Sequence, residues 1–296
     1  MRRDKLPDIQ PYYYRFSEYI EGQPDDKKVQ LERYKDISEF ITAHLHRQFQ
    51  YEGDFPEIRI TSSDSQNAAA SPYCVDVTQG LIEHCLSIRT PSITLFFPLF
   101  PAELWSDEMA GTIHFAWVVA HEYVHVGRRH ESVKDETQDL DQNLVSQAFE
   151  HDADLCAAAA VYRWLQQKFP VPIEQNLDIR AAVCFGLYWS IRTMQVPAEQ
   201  CTHADANARL FHICYKMASM SFGREQPDLT FENPITGMAL SLLTKLMVNS
   251  DLAYKEYYNP DHPVMAADWF HKGQSRYMEV VTMWNELIRR FEWFGR

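Results

Sequence analysis

Proline placement is the tightest bound on how this chain can fold. No proline occurs between Pro101 and Pro170, and those that follow, at 170, 172, 197, 227, 234, 260 and 263, fall between helical runs or at their starts. A proline inside a helix removes a backbone donor and clashes with the turn before it, at about 3 kcal/mol, so proline-free stretches can run as long helices. Periodicity predicts one over AELWSDEMAGTIHFAWVVAHEYVHVGRRHE, 102–131, and a second over DQNLVSQAFEHDADLCAAAAVYRWLQQK, 141–168. The polar linker SVKDETQDL joins them. Further helical segments are expected over 177–195, 204–221, 232–257 and 264–291.

The first hundred residues differ. Val29, Leu31, Tyr34, Ile37, Ile41 and Leu45 predict a helix between Asp26 and Tyr51. Two short β-like runs follow, EIRIT at 57–61 and YCVDVT at 73–78, separated by the small, polar SSDSQNAAASP. LIEHCLSI then reads as helix, while PSITLFFPLFP fits either strand or helix. The expected class is α+β, predominantly α, with one small sheet. We divide it into an aromatic arm and helix at 1–52, a core at 53–221 and a helical extension at 222–296, packed as one continuous domain.

Composition narrows the function classes. A net charge of −13 without a basic stripe argues against nucleic acid, whose phosphates need clustered Lys and Arg. The longest apolar runs fall short of the ~20 residues that span a bilayer, so no membrane partner is expected. Cysteines at 74, 85, 156, 184, 201 and 214 include no C-x-x-C pair, and the N-terminus has no apolar leader. The expectation is a cytoplasmic protein with reduced thiols. Tyr12, Tyr13, Tyr14, Phe16 and Tyr19, like Trp284, Trp293 and Phe294, read as packing groups.

The chemistry concentrates in HEYVHVGRRHE, 121–131. His121 and His125, four apart, project from one helix face and can grip one ion, while Glu122 beside them is placed as a base. A catalytic zinc needs a third protein ligand and leaves a fourth position to water. Glu150, in EHDAD on the next long helix, can supply it. Asp154 lies four residues on, on the same face, where it could orient a ligand histidine. His151 and Asp152 are rivals by type but do not share that face.

Together, H-E-x-x-H-x-x-x-R-H from His121 to His130 and E-x-x-A-D from Glu150 to Asp154 resemble the gluzincin metallopeptidases that include the HtpX and CAAX prenyl endopeptidases. NAAASPYCVDVTQGLIE upstream is similar to that family's strand and T-x-G-L helix start, and THADANARL downstream to its H-P-x-x-x-x-R element. The element order also resembles the Lit-type phage-exclusion peptidases. The likeness covers Asn67 to Leu210. Ala204 stands where the family has proline, and Val124 where it has a small residue. The resemblance implies a zincin-like fold and one Zn2+ per chain on His121, His125 and Glu150, with Glu122 as general base. It implies that His203 and Arg209 stabilise the oxyanion and brace the site, and that Asn67, Ala68, Ala69 and Ala70 form the sheet edge that holds a peptide substrate. His130 reads as a cap or a supporting group. The expected activity is zinc-dependent endopeptidase on a cytoplasmic protein; the alternatives are a catalytically silent zinc-bound scaffold and a metal-free helical interaction protein.

Overall fold

In the computed structural model, Ser106 starts the helix that organises the fold, its hydroxyl accepting from the Met109 N–H at 3.1 Å. That helix, α4 (Asp107–Gly127), is buried at every residue from Met109 to His121. A helix apolar on all sides has to lie inside the protein. Around it pack α2 (Asp25–Gln48), α3 (Gln79–Ser87), α6 (Gln142–Lys168) and α7 (Asn176–Thr193). The structure describes residues 13–50, 55–71, 74–90, 102–170, 176–194, 206–220, 234–262 and 269–291.

A four-stranded mixed sheet covers the remaining side of α4. Its order is β1 (Tyr13–Arg15), β2 (Glu57–Thr61), β4 (Cys74–Thr78), β3 (Ala68–Ser71), with β2 and β4 parallel and the outer pairs antiparallel. Ile58 and Ile60 alternate with more exposed residues along β2, and Val75 and Val77 do so along β4, so one face is apolar. Among the described residues β3 pairs with β4 alone and is an edge. The T-Q-G-L stretch has a local explanation. Thr78 caps α3 by accepting from Leu81 N–H, and a Cβ on Gly80 would lie 2.1 Å from the Asp64 carbonyl oxygen.

The helix expected over 102–131 is in fact three pieces: a 3-10 turn at Ala102–Trp105, α4, and α5 (His130–Asp135). Arg128 N–H donates to Val124 O at 2.8 Å and ends α4; Arg129 then takes a left-handed conformation, φ 55° and ψ 40°. Gly127 closes α4 two residues earlier, but the left-handed position itself is an arginine. The reversal converts the first part of the expected linker into α5, which turns back onto α6.

The remaining helices α8 (Ala206–Ser219), α9 (Pro234–Tyr257) and α10 (Trp269–Arg290) build outward, α8 on α6 and α7, α9 on α7 and α8, and α10 on α6 and α8. Val280 and Leu287 of α10, with Phe291 just past its end, form a second apolar cluster with Val133, Val145 and Phe149. In the aromatic arm Phe16 and Tyr19 are buried, while Tyr13 is exposed beneath the Arg59 guanidinium. Cys74, Cys85, Cys156, Cys184 and Cys214 are free thiols. Tyr12, residues 91–101, Cys201, Trp293 and Phe294 lie outside the described residues. Among those described, no helix is long and apolar enough to cross a membrane.

Candidate metal centre

Crossing of α4 and α6 brings three metal-ligating atoms together. His121 Nε2 lies 3.1 Å from both Glu150 Oε2 and His125 Nε2, and His125 Nε2 lies 3.7 Å from Glu150 Oε2. An ion bound tetrahedrally at about 2.0–2.1 Å holds its ligand atoms about 3.4 Å apart. The triangle fits that spacing, and its two imidazoles and one carboxylate are a donor set that can hold a metal ion.

The protons follow from the second carboxylate. Asp154, one turn beyond Glu150, places Oδ1 2.9 Å from His121 Nδ1. A carboxylate only accepts, so the proton between them belongs to Nδ1, and neutral His121 then aims the Nε2 lone pair into the triangle. Burial would raise the Asp154 pKa, but Arg209 and His121 hold the carboxyl well below the usual carboxylate range. The two carboxylates also favour the charged form of His121. Burial opposes its charge, yet hydrogen bonding to Asp154 and Glu150 pushes its pKa up to about 10.

Arg209 closes on the second carboxylate. Its Nε and Nη2 donate to the two oxygens of Asp154, each at 2.8 Å, and its guanidinium lies over the Trp117 ring at 5.2 Å. It does not line the cleft beside the triangle. With Nε and Nη2 on Asp154, Arg209 braces the site through His121. His203 lies outside the described residues.

Helical phase separates the rest of EHDAD. His151 points away from the triangle, with Nδ1 3.0 Å from Nδ1 of His212 on α8. Asp152 turns toward Arg128 and His130, at 3.6 and 3.4 Å. Neither rival joins the triangle. His130 is buried, its Nδ1 2.8 Å from His125 Nδ1 and its ring stacked on Phe149. The supporting role expected of His130 thus has contacts, but no local pattern in the sequence names Asp152 as its partner.

A cleft of about 690 Å³ opens beside the triangle, lined by His125 and Glu150, by Arg129 and Lys134 from the α4–α5 turn and α5, and by Ala70 and Ser71 of β3. The strand therefore reaches the site one residue later than expected: Ala68, Ala69 and Ala70 lie in β3, whereas Asn67 precedes it, its carbonyl accepting from Thr78 N–H at 3.1 Å. Glu122 follows His121 on α4 and is half-buried. No protein-family model, curated protein or solved structure matches this chain.

Proposed function

We propose that the chain is a zinc-dependent endopeptidase of gluzincin type, with a zincin-like fold, acting on a cytoplasmic protein. One observation carries this reading: a His121–His125–Glu150 triangle of ion-binding dimensions lies at the wall of an open cleft that an edge strand also borders. Structural zinc sites are closed by four protein ligands, whereas catalytic ones use three and stay open.

A zinc ion held by these three side chains supplies Lewis acidity, which makes water a nucleophile near neutral pH. Glu122 takes the proton that the attacking water gives up and returns it to the departing amine, so one carboxyl serves both halves of the reaction. Asp154 keeps His121 in the tautomer that ligates, and Arg209 keeps Asp154 in place. The β3 edge presents main-chain groups to an extended peptide, which aligns substrates of varied sequence. His203 remains the oxyanion donor that the resemblance implies.

The test compares wild type with Glu122→Gln in cell lysate by mapping newly formed protein N-termini, beside metal analysis of both proteins and of His121→Ala. The expected result is near-stoichiometric zinc in wild type and Glu122→Gln, little in His121→Ala, and new termini from wild type alone. Identical termini from two equally zinc-loaded proteins would leave the silent scaffold, and wild type without zinc the metal-free interaction protein.

A further inference from the structure

The second zinc histidine has a partner of its own. His125 presents Nε2 to the triangle, and its other nitrogen, Nδ1, lies 2.8 Å from His130 Nδ1. On the far side of that ring, His130 Nε2 lies 3.4 Å from Asp152 Oδ2. We infer that His130 and Asp152 form a hydrogen-bond relay that fixes the proton of His125 on Nδ1 and turns its Nε2 lone pair toward the metal position. This rests on the metal-centre reading above.

Proton counting gives the direction. The Asp152 carboxylate faces His130 Nε2 at 3.4 Å and can only accept, so it favours the His130 tautomer with its proton on Nε2. A neutral imidazole protonated there has its lone pair at Nδ1, and that lone pair accepts from His125 Nδ1–H. His125 is left with a lone pair at Nε2, the atom in the triangle. The two histidines of the site are thereby set by two aspartates of one helix. Asp154 acts on His121 directly, while Asp152, two residues earlier and on another side of α6, reaches His125 through an interposed ring.

The surroundings hold this relay in place. Asp152 has the Arg128 guanidinium at 3.6 Å and accepts from the Cys156 thiol at 3.5 Å, so its charge has a counter-ion. The His130 ring is stacked on Phe149, with centroids 4.6 Å apart, and meets Trp284 of α10 edge-on. Rotation of His130 would break both the polar and the aromatic contacts, so the C-terminal helix contributes to the geometry of a site it does not enter. His130 and Asp152 are positioning residues; neither belongs to the ligand triangle.

The experiment measures zinc affinity by chelator competition on stripped wild type, His130→Phe, His130→Asn and Asp152→Asn. Phenylalanine keeps the stacking but offers no acceptor, whereas asparagine restores one near the place of Nδ1. The relay requires about 10- to 100-fold weaker zinc binding in His130→Phe, recovery to within a few-fold in His130→Asn, and an intermediate loss in Asp152→Asn. Long-range proton–nitrogen correlation on zinc-loaded wild type, which needs no variant to fold, should find the His125 proton on Nδ1. Equal losses in the phenylalanine and asparagine variants, affinities all within about twofold of wild type, or a His125 proton on Nε2 would each overturn the relay. Zinc binding by wild type that His121→Ala leaves intact would overturn the metal-centre reading itself, and the relay with it.

Discussion

Replacing Arg209 by methionine isolates the interaction that anchors the site. Methionine keeps an unbranched stem against Trp117 but removes both donors from Asp154, whose side chain is 4% exposed. Two charge-assisted hydrogen bonds at about 1.5–3 kcal/mol each bound the loss from one side. Stripping one partner from a buried pair, at about 3–5 kcal/mol, bounds it from the other. The two agree, and for a chain of this size they correspond to a fall in Tm of roughly 5–10 °C. Burial would raise the Asp154 pKa, but its partners hold it below the unfolded value. The stability this carboxylate contributes is therefore present above the unfolded pKa of about 4 and lost as pH falls through the folded one. The gap between wild type and Arg209→Met should accordingly be wide at pH 7 and narrow at the acid end.

Urea unfolding of the metal-free proteins reads this directly, and Asp154→Asn/Arg209→Met completes the test. The double variant has no uncompensated carboxylate, so it should regain a large part of the lost stability, yet bind zinc more weakly than wild type because His121 has lost its charged acceptor. A loss under about 1 kcal/mol at pH 7 would mean that water screens the pair as it does a surface salt bridge, and would refute the reasoning. A gap that stayed the same on acidification would refute it as well.

Two further predictions concern the core. Burial first, and then His84 beside it, push the His114 pKa down to about 3, so the folded state resists a proton that unfolded histidine accepts near 6.5. Stability should fall as pH drops from about 6.5 toward 3, and His114→Phe should remove about 1.4 kcal/mol per pH unit of that slope, measured as urea midpoints at several pH values. Gly111→Ala should destabilise by about 1–3 kcal/mol in a thermal scan, although alanine is the better helix former by about 1 kcal/mol. Its Cβ would lie 2.3 Å from the Cys85 carbonyl oxygen, a backbone atom of α3 that cannot step aside; a raised Tm would count against the close α3–α4 approach.

What could be read from the sequence was whatever one helix settles by its own geometry. The four-residue spacings placed His121 with His125, and Glu150 with Asp154, on common faces, and the structure joins those faces in one triangle with its brace. Spacing also excluded His151 and Asp152 from the Glu150 face, and they do point elsewhere. What a face meets is a different question, because it depends on the path of another segment. Gly127 marks the end of α4 but not the residue that reverses the chain: Arg129 turns left-handed, and that one residue brings His130 back between His125 and Asp152. Left-handed backbone costs roughly 1–2 kcal/mol outside glycine, so packing elsewhere has to hold the turn. Burial of Val133 against Phe149 and α10 is the observed contact that can do so. Arg209 illustrates the same limit: proximity to the site could be read from the family likeness, but its commitment to Asp154 appears only when α8 packs on α6. Substitutions in the α5–α10 cluster should therefore act on zinc affinity through the path of the Arg129 turn, a coupling with no counterpart in the spacing of the ligands.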